Sequence, residues 1–356
     1  MEKRAYSLLF MLGLISFFGD FCYEGMRSII GQYLSIIGAS ATLVGFISSL
    51  AEMTGYLLRP LFSFIADKLN IYWASLFIGY GLSAVSIPLT GFTTSIFMVF
   101  FLMIVERMGK AIRTPIRDVL IGRISKTIGM GKGFGIHHAF DQMGAILGPL
   151  MVSIVLMVQS SYKLAFAMLL IPGLFSIVAL FILKKNMKDF ELSLHYSDPR
   201  TLAMGIGQPH RTYILFSFLI MLAFPSFSLI GYHMKAVGFS DESIPQIYSI
   251  AMILQAFISV TAGLLMDRYM VKALVVLPFL SVLAPLMCFS TDRFIAGAGV
   301  FVWGALRISV FTILPAFLLK IFKGDNVLSV VGFAQALWGV AQMISGTLVG
   351  LSLIHI

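Results

Sequence analysis

The chain has 356 residues, of which 59% are hydrophobic and only 12% charged, with a mean hydropathy of +0.95. Water-soluble domains average about 45–50% apolar and about 25% charged residues. That class is therefore excluded, and an integral membrane protein is expected. The formal net charge of +9 does not signal a nucleic-acid partner, because the basic residues gather between apolar runs on one side of them.

The apolar runs are long and lack period-2 alternation, so they read as membrane-crossing helices rather than barrel strands. Eleven spans are expected in chain order: 6–34, 43–65, 72–91, 95–115, 133–158, 163–183, 212–237, 243–266, 272–290, 294–320 and 328–354. Met1-Glu-Lys-Arg leads into the first run without a small-residue cleavage site, so that run reads as an uncleaved span. Residues 184–211 form one polar linker. It separates an N-terminal bundle, 1–183, from a C-terminal bundle, 212–356. Cys22 and Cys288 lie far apart inside apolar runs, giving no disulfide framework and no metal-ligand spacing.

Of the 25 Lys and Arg residues, Lys163, Lys235 and Arg293 fall in one set of loops, while Arg27, Arg59 and Arg307 lie inside spans. The other nineteen lie on the opposite side, which sets a cytoplasmic N-terminus in a cytoplasmic (inner) membrane. An internal repeat is also visible. Ser63-Phe-Ile-Ala-Asp67-Lys68 closes the second span, and 200 residues after Asp67 stands Asp267 in Gly263-Leu-Leu-Met-Asp267-Arg268. Gly133-Phe134 is likewise matched by Gly332-Phe333. Two parallel halves place a cavity on their pseudo-twofold axis, an arrangement suited to alternating access.

The fifth span holds the densest polar set. His137 and Asp141 stand one helical turn apart, beside His138 and Gln142, and Gly144 and Gly148 have the spacing that lets helix backbones approach in lipid. On the first span Asp20, Glu24 and Arg27 share a face, and Glu52, Tyr56 and Arg59 do so on the second. Ionisable groups at membrane depth are costly and mark pathways or structural ion pairs. Asp20, Glu24, Glu52, His137 and Asp141 are the proton-coupling candidates, since a carboxyl in a low-dielectric cavity can load and release a proton near neutral pH. For Glu24 with Arg27 and Glu52 with Arg59, a plain ion pair is the competing reading. Arg27, Tyr56, Arg107, Gln142 and Arg307 are the substrate-cavity candidates, and Arg307 is expected to find its counter-ion in Asp20, Glu24 or Asp141. Glu106, Lys110, Arg113 and Arg117 follow helical spacing at the cytoplasmic end of span four, where Pro115 is expected to interrupt the helix. His233 reads as a surface residue.

These strings resemble the major facilitator superfamily over nearly the whole chain. Its loop signature G-x-L-A-D-R-x-G-R-K is similar to Ser63-Phe-Ile-Ala66-Asp67-Lys68-Leu-Asn-Ile-Tyr-Trp73, with the leading glycine and the trailing basic pair changed. Its antiporter signature G-x-x-x-G-P-x-x-G-G resembles Gly144-Ala-Ile-Leu-Gly148-Pro149, with Val152-Ser153 in place of the last glycines. Asp20-Phe-Cys-Tyr-Glu24-Gly-Met-Arg27 and Glu106-Arg107-Met-Gly-Lys110-Ala-Ile-Arg113-Thr-Pro115-Ile-Arg117-Asp118 resemble an uncharacterised prokaryotic branch.

The resemblance implies an all-α membrane fold of two pseudo-repeated six-helix bundles, with Asp67, Lys68, Arg113, Arg117, Asp267 and Arg268 as gating elements. It implies twelve spans where eleven are read. The ending Leu351-Ser-Leu-Ile-His-Ile356 resembles adaptor read-through, so the twelfth helix is expected to be missing from a truncated gene. The function implied is secondary transport of a small molecule, energised by the proton gradient without a cofactor, by a monomer in the lipid bilayer. Proton antiport, exporting an amphipathic compound, is the first reading. Proton symport of a sugar or organic anion is the alternative. An intramembrane enzyme or lipid-handling scaffold is the remote one, because no nucleophile–base set, metal spacing or phosphate loop is read in the spans.

Overall fold

A computed structural model describes residues 2–187, 208–321 and 327–353, and side chains throughout these except 208–210, 260–273, 312, 315–316, 318–321 and 327–332. The described chain is helical, without strands. In order the helices are α1 (Glu2–Ile36), α2 (Ala41–Lys68), α3 (Tyr72–Thr90), α4 (Ile96–Ser125), α5 (Met130–Gln159), α6 (Tyr162–Met168), α7 (Leu170–Asn186), α8 (Gln208–Leu222), α9 (Phe227–Ala236), α10 (Ser243–Cys288), α11 (Arg293–Ile321) and α12 (Val327–Ser352). Seven described stretches are long and apolar enough to cross a membrane. Large apolar side chains such as Phe97, Phe181 and Phe294 are exposed, as a lipid-facing surface requires.

Nine of the eleven expected spans are helices of their own, two of them divided at prolines, whereas spans eight and nine run together as one helix, α10. Span six is divided into α6 and α7 at Leu169, because Pro172 has no N–H to give the carbonyl of Met168. Span seven is divided into α8 and α9 around Pro225, which cannot donate to Met221. There Ser226 caps α9 by accepting from the Leu229 N–H at 3.4 Å, and the indole of Trp303 donates to the freed Pro225 carbonyl at 2.9 Å. Spans eight and nine both fall in α10, whose apolar parts Ser243–Ser259 and Leu274–Cys288 flank residues 260–273. One expectation is corrected in α4: Pro115 does not end the helix, which continues to Ser125. A single missing hydrogen bond inside a packed bundle is outweighed by the contacts of the following turns, in which Ile116, Leu120, Ile121 and Ile124 are all buried.

The chain forms two compact units, Met1–Ile29 with Leu58–Tyr196, and Ile30–Leu57 with Ser197–Ile356. In the first, Leu9, Leu12 and Ile15 of α1 pack with Leu76 and Tyr80 of α3, Ile116 and Leu120 of α4, and Leu183 of α7. Glycines set the helix spacing. A Cβ on Gly79 would lie 2.7 Å from the Gly109 carbonyl oxygen, so α3 and α4 cross there in backbone contact. Gly144 and Gly148 perform the predicted packing role: a Cβ on Gly144 would sit 2.9 Å from the Phe21 nitrogen, and one on Gly148 3.0 Å from the Phe21 carbonyl carbon. At these two glycines no side chain fits between α1 and α5.

In the second unit the segment Ile30–Leu57, placed by the sequence within 1–183, packs with the later helices. Gly31 meets the Ser228 backbone, Gly45 meets Gly346, and Thr42 donates to the Gly350 carbonyl at 3.2 Å. Trp303, fully buried, forms an aromatic core with Phe224, Phe227 and Tyr248. Trp338 donates to Ser217 Oγ at 2.9 Å. His233 is a correction: it is buried, not on the surface, with Nε2 2.9 Å from the Ser290 carbonyl oxygen and its ring edge-on to Phe289. A polar side chain near a helix end can turn inward when a loop carbonyl needs a donor, and spacing alone does not reveal that.

Candidate functional site

The first unit contains a continuous polar seam on the facing sides of α1, α4 and α5. On α1 it runs through Ser16, Asp20, Tyr23, Glu24 and Arg27, positions that share one helical stripe. Two of the five, Ser16 and Tyr23, were not singled out by the sequence. A lone serine or tyrosine at helical spacing carries the same pattern as any packing residue.

At one end of the seam, His137 is buried between two partners. Its Nε2 lies 2.6 Å from Ser16 Oγ, and its Nδ1 lies 3.3 Å from Asp141 Oδ2. The predicted one-turn pair on α5 is therefore present, extended to α1 by a residue 121 positions earlier in the chain. The glycine contact places Asp20 against this pair. Its ionisable neighbours are Asp141, Lys110, Glu24 and Arg117, and those of Asp141 are His137, Arg117 and His138. Arg117 also pairs with Asp118 at 2.9 Å.

At the other end stands Tyr23, surrounded by basic groups. Arg27 donates from Nη1 to its hydroxyl at 3.2 Å, and the Arg27 Cζ is 5.8 Å from the ring centroid. The Arg107 Cζ lies 4.4 Å and the Lys110 Nζ 3.7 Å from the same centroid, both in cation–π range. Two deeply buried carboxylates accompany them: Glu106 at 3.1 Å from Arg107 and Glu24 at 4.0 Å from Arg27. Glu24 and Arg27 thus meet as the plain ion-pair reading expected. Lys110 and Asp20 are only half-buried, whereas Arg27 and Arg107 are buried.

The remaining candidates are distributed as follows. Arg113, expected to gate a loop, is instead among the most buried side chains of the unit, donating to Ser83 Oγ at 2.7 Å and lying 4.6 Å over the Tyr80 ring. The α4 stripe turns into the bundle because the helix does not stop at Pro115. Asp67 accepts from the Tyr72 hydroxyl at 2.6 Å, across a turn in which Asn70 takes a left-handed φ of 52°. Lys68 lies 5.9 Å from the Phe64 ring. Tyr72 thus reaches the Asp67 carboxylate across five residues and latches the turn locally. The side chains of Asp267 and Arg268 lie outside the described residues. Gln142 is half-buried, its Nε2 3.4 Å from His138 Nε2. Glu52 and Tyr56 belong to the second unit, where the Tyr56 side chain lies against Gly339, while Arg59 belongs to the first. Arg307, in the second unit, donates from Nη1 to Gln255 Oε1 at 3.1 Å and to Met252 Sδ at 2.9 Å, beside Trp303. The acids expected as its counter-ions belong to the first unit, and each has basic neighbours there. Among the described residues no group of three or more His, Cys, Asp or Glu is placed to hold a metal ion.

Seven described stretches long and apolar enough to cross a membrane define a multi-pass membrane protein. The family model described as Major Facilitator Superfamily matches residues 9–346, and the chain belongs to that superfamily. It is 33% identical over 310 residues to the uncharacterized protein Rv2265 of Mycobacterium tuberculosis (strain ATCC 25618 / H37Rv), covering 85% of this chain and 75% of that one. With the uncharacterized MFS-type transporter MJ1317 of Methanocaldococcus jannaschii it shares 28% over 270 residues, 73% of this chain and 66% of the relative. Among solved structures, the nucleoside transporter NupG superposes with a TM-score of 0.75 at 14% identity over 97% of this chain and 90% of that one. A D-xylose-proton symporter gives 0.71 at 16%, over 96% and 90%. These distant likenesses establish the fold. The protein is a secondary transporter rather than an enzyme.

Proposed function

We propose that transport is proton-coupled and that the buried chain Ser16–His137–Asp141, with Asp20 beside it, carries the coupling proton. The observation supporting this is the contact running from Ser16 Oγ through both ring nitrogens of His137 to Asp141 Oδ2. Imidazole exchanges protons near neutral pH, and Asp20 and Asp141 share Arg117 as a charged neighbour. Loading a proton on one of these acids changes the charge seen by the other and by Arg117, which gives a two-state element for alternating access to act upon. The N-terminus is cytoplasmic in this reading, in line with the distribution of Lys and Arg. Gly144 and Gly148 are fully employed in α1–α5 packing and so argue neither for antiport nor for symport.

The test is proton movement in everted vesicles containing the protein, with lipophilic cations, sugars and organic anions added in turn. Proton efflux from acid-loaded vesicles on adding a hydrophobic cation reads antiport, and proton entry with a sugar or anion reads symport. In either case Asp141→Asn is expected to abolish the proton signal and His137→Gln to slow it. Proton movement unchanged in Asp141→Asn, or solute exchange without any proton movement, refutes the proposal.

A further inference from the structure

We propose that the touching ends of α1 and α7 form a site for the headgroup of an anionic phospholipid, with Lys3 and Lys185 as its donors and Arg4 between them. The two helix ends are joined directly. Arg4 donates from Nη2 to the Asn186 carbonyl at 3.4 Å, and the Asn186 side-chain nitrogen lies 3.6 Å from Met11 Sδ. Just inside, Leu8, Leu9 and Leu12 of α1 share a core with Leu183 and Met187 of α7. Lys3 precedes Arg4 and Lys185 precedes Asn186, so this contact gathers three exposed cations at one seam. Glu2 is the only acid in the first turn of α1, and the last turn of α7 has none. Among the described residues, neither Lys3 nor Lys185 meets a carboxylate.

Helical geometry turns both lysines to the lipid side of the seam. Counting round α1 from Arg4, which meets α7, the buried Ala5, Leu8 and Leu12 turn one way, while Lys3 and the exposed Phe10 turn the other. On α7, Lys185 shares the exposed arc of Phe181 and Ile182, opposite the buried Leu180 and Leu183. Each helix thus carries a terminal cation above apolar side chains that face lipid. Farther along, Phe18 and Phe175 stack across the seam at 5.4 Å between centroids. A phospholipid fits this pattern at both ends, its acyl chains along Phe10 and Ile182 and its phosphate between the lysines. A zwitterionic headgroup brings no net charge to the three cations, whereas an anionic one does. A lipid bound there clamps α7 to α1, the helix that carries Ser16 and Asp20.

The test titrates lipid into the purified full chain in a neutral detergent and follows the thermal unfolding midpoint. Dioleoylphosphatidylglycerol is compared with dioleoylphosphatidylcholine and with inorganic phosphate. Only the anionic lipid is expected to raise the midpoint, and less so as ionic strength rises from about 0.05 to about 0.5 M. Lys3→Gln combined with Lys185→Gln leaves Arg4 on Asn186 and is expected to weaken that lipid about thirtyfold, roughly fivefold for each cation. If the lipid-free midpoint of this pair falls below that of the parent, Lys185→Gln alone decides, with about fivefold expected. Lys126→Gln combined with Lys132→Gln, an equally exposed pair where α4 passes to α5, is expected to keep the parent affinity. Equal weakening by the two pairs reads as diffuse attraction to anionic micelles and overturns the site. Parent affinity without Lys3 and Lys185, or equal stabilisation by phosphatidylcholine, overturns it as well. Stabilisation by inorganic phosphate equal to that by the lipid makes the ligand a free anion and removes the phospholipid.

Discussion

Replacing Gly148 with alanine tests whether the α1–α5 contact assembles the polar seam. The added Cβ would meet the Phe21 carbonyl oxygen directly, its carbon at 3.0 Å and the Gly25 nitrogen at 3.1 Å. All three are backbone atoms, so no rotamer change relieves the overlap. The helices must part by about 1 Å to restore ordinary van der Waals distances, and a gap of that size forfeits up to about half of each contact's attraction. Overpacking of this kind costs about 1–3 kcal/mol, offset by the roughly 1 kcal/mol that alanine gains over glycine in a helix. Gly81 in α3 supplies the control, because a Cβ there meets nothing within 4 Å. Gly81→Ala is expected to gain up to about 1 kcal/mol from propensity alone. The propensity gain is common to both, so the two variants should differ by the overpacking cost of about 1–3 kcal/mol, read as a difference of a few degrees between their thermal unfolding midpoints in one detergent. Proton flux should fall in Gly148→Ala and persist in Gly81→Ala, because only the first displaces Asp20 from Asp141. Equal midpoints in the two variants would refute the close-contact reasoning.

Two further contacts that support the fold can be probed by substitution. Trp303→Phe keeps an aromatic ring but withdraws the donor from the Pro225 carbonyl, so about 1–3 kcal/mol is expected to be lost. Trp303→Ala should cost more, about 3–5 kcal/mol, and chemical or thermal unfolding that finds the two alike would remove the role given to the indole N–H. For the latch after α2, a double-mutant cycle of Tyr72→Phe with Asp67→Asn should return a coupling of about 1 kcal/mol. A coupling near zero means that the 2.6 Å contact does not hold the turn.

Much of the architecture was determined by the sequence alone. Helices follow from apolar runs that must satisfy their own backbone in lipid, and the His137–Asp141 pair, the Glu24–Arg27 pair and the Gly144–Gly148 ladder follow from the helical period. Pro172 and Pro225 divide spans six and seven by withholding an N–H, but nothing in the sequence shows that Trp303 donates to the Pro225 carbonyl. Membership of the superfamily was also legible, in the Asp67-Lys68 turn and in the Gly144-to-Pro149 string.

What lay beyond the sequence is which face of each helix meets which neighbour. Periodicity groups residues on one helix, but Ser16 and His137 are 121 positions apart, and only the glycine contact between α1 and α5 brings them into hydrogen-bonding distance. The same holds for Tyr23, an unremarked aromatic among many until α4 lays Arg107 and Lys110 over its ring. Arg113 read as a gating group and His233 as a surface residue in the sequence, yet both are buried. A polar side chain turns inward when a partner is waiting there, and the tertiary packing alone decides where the partners are.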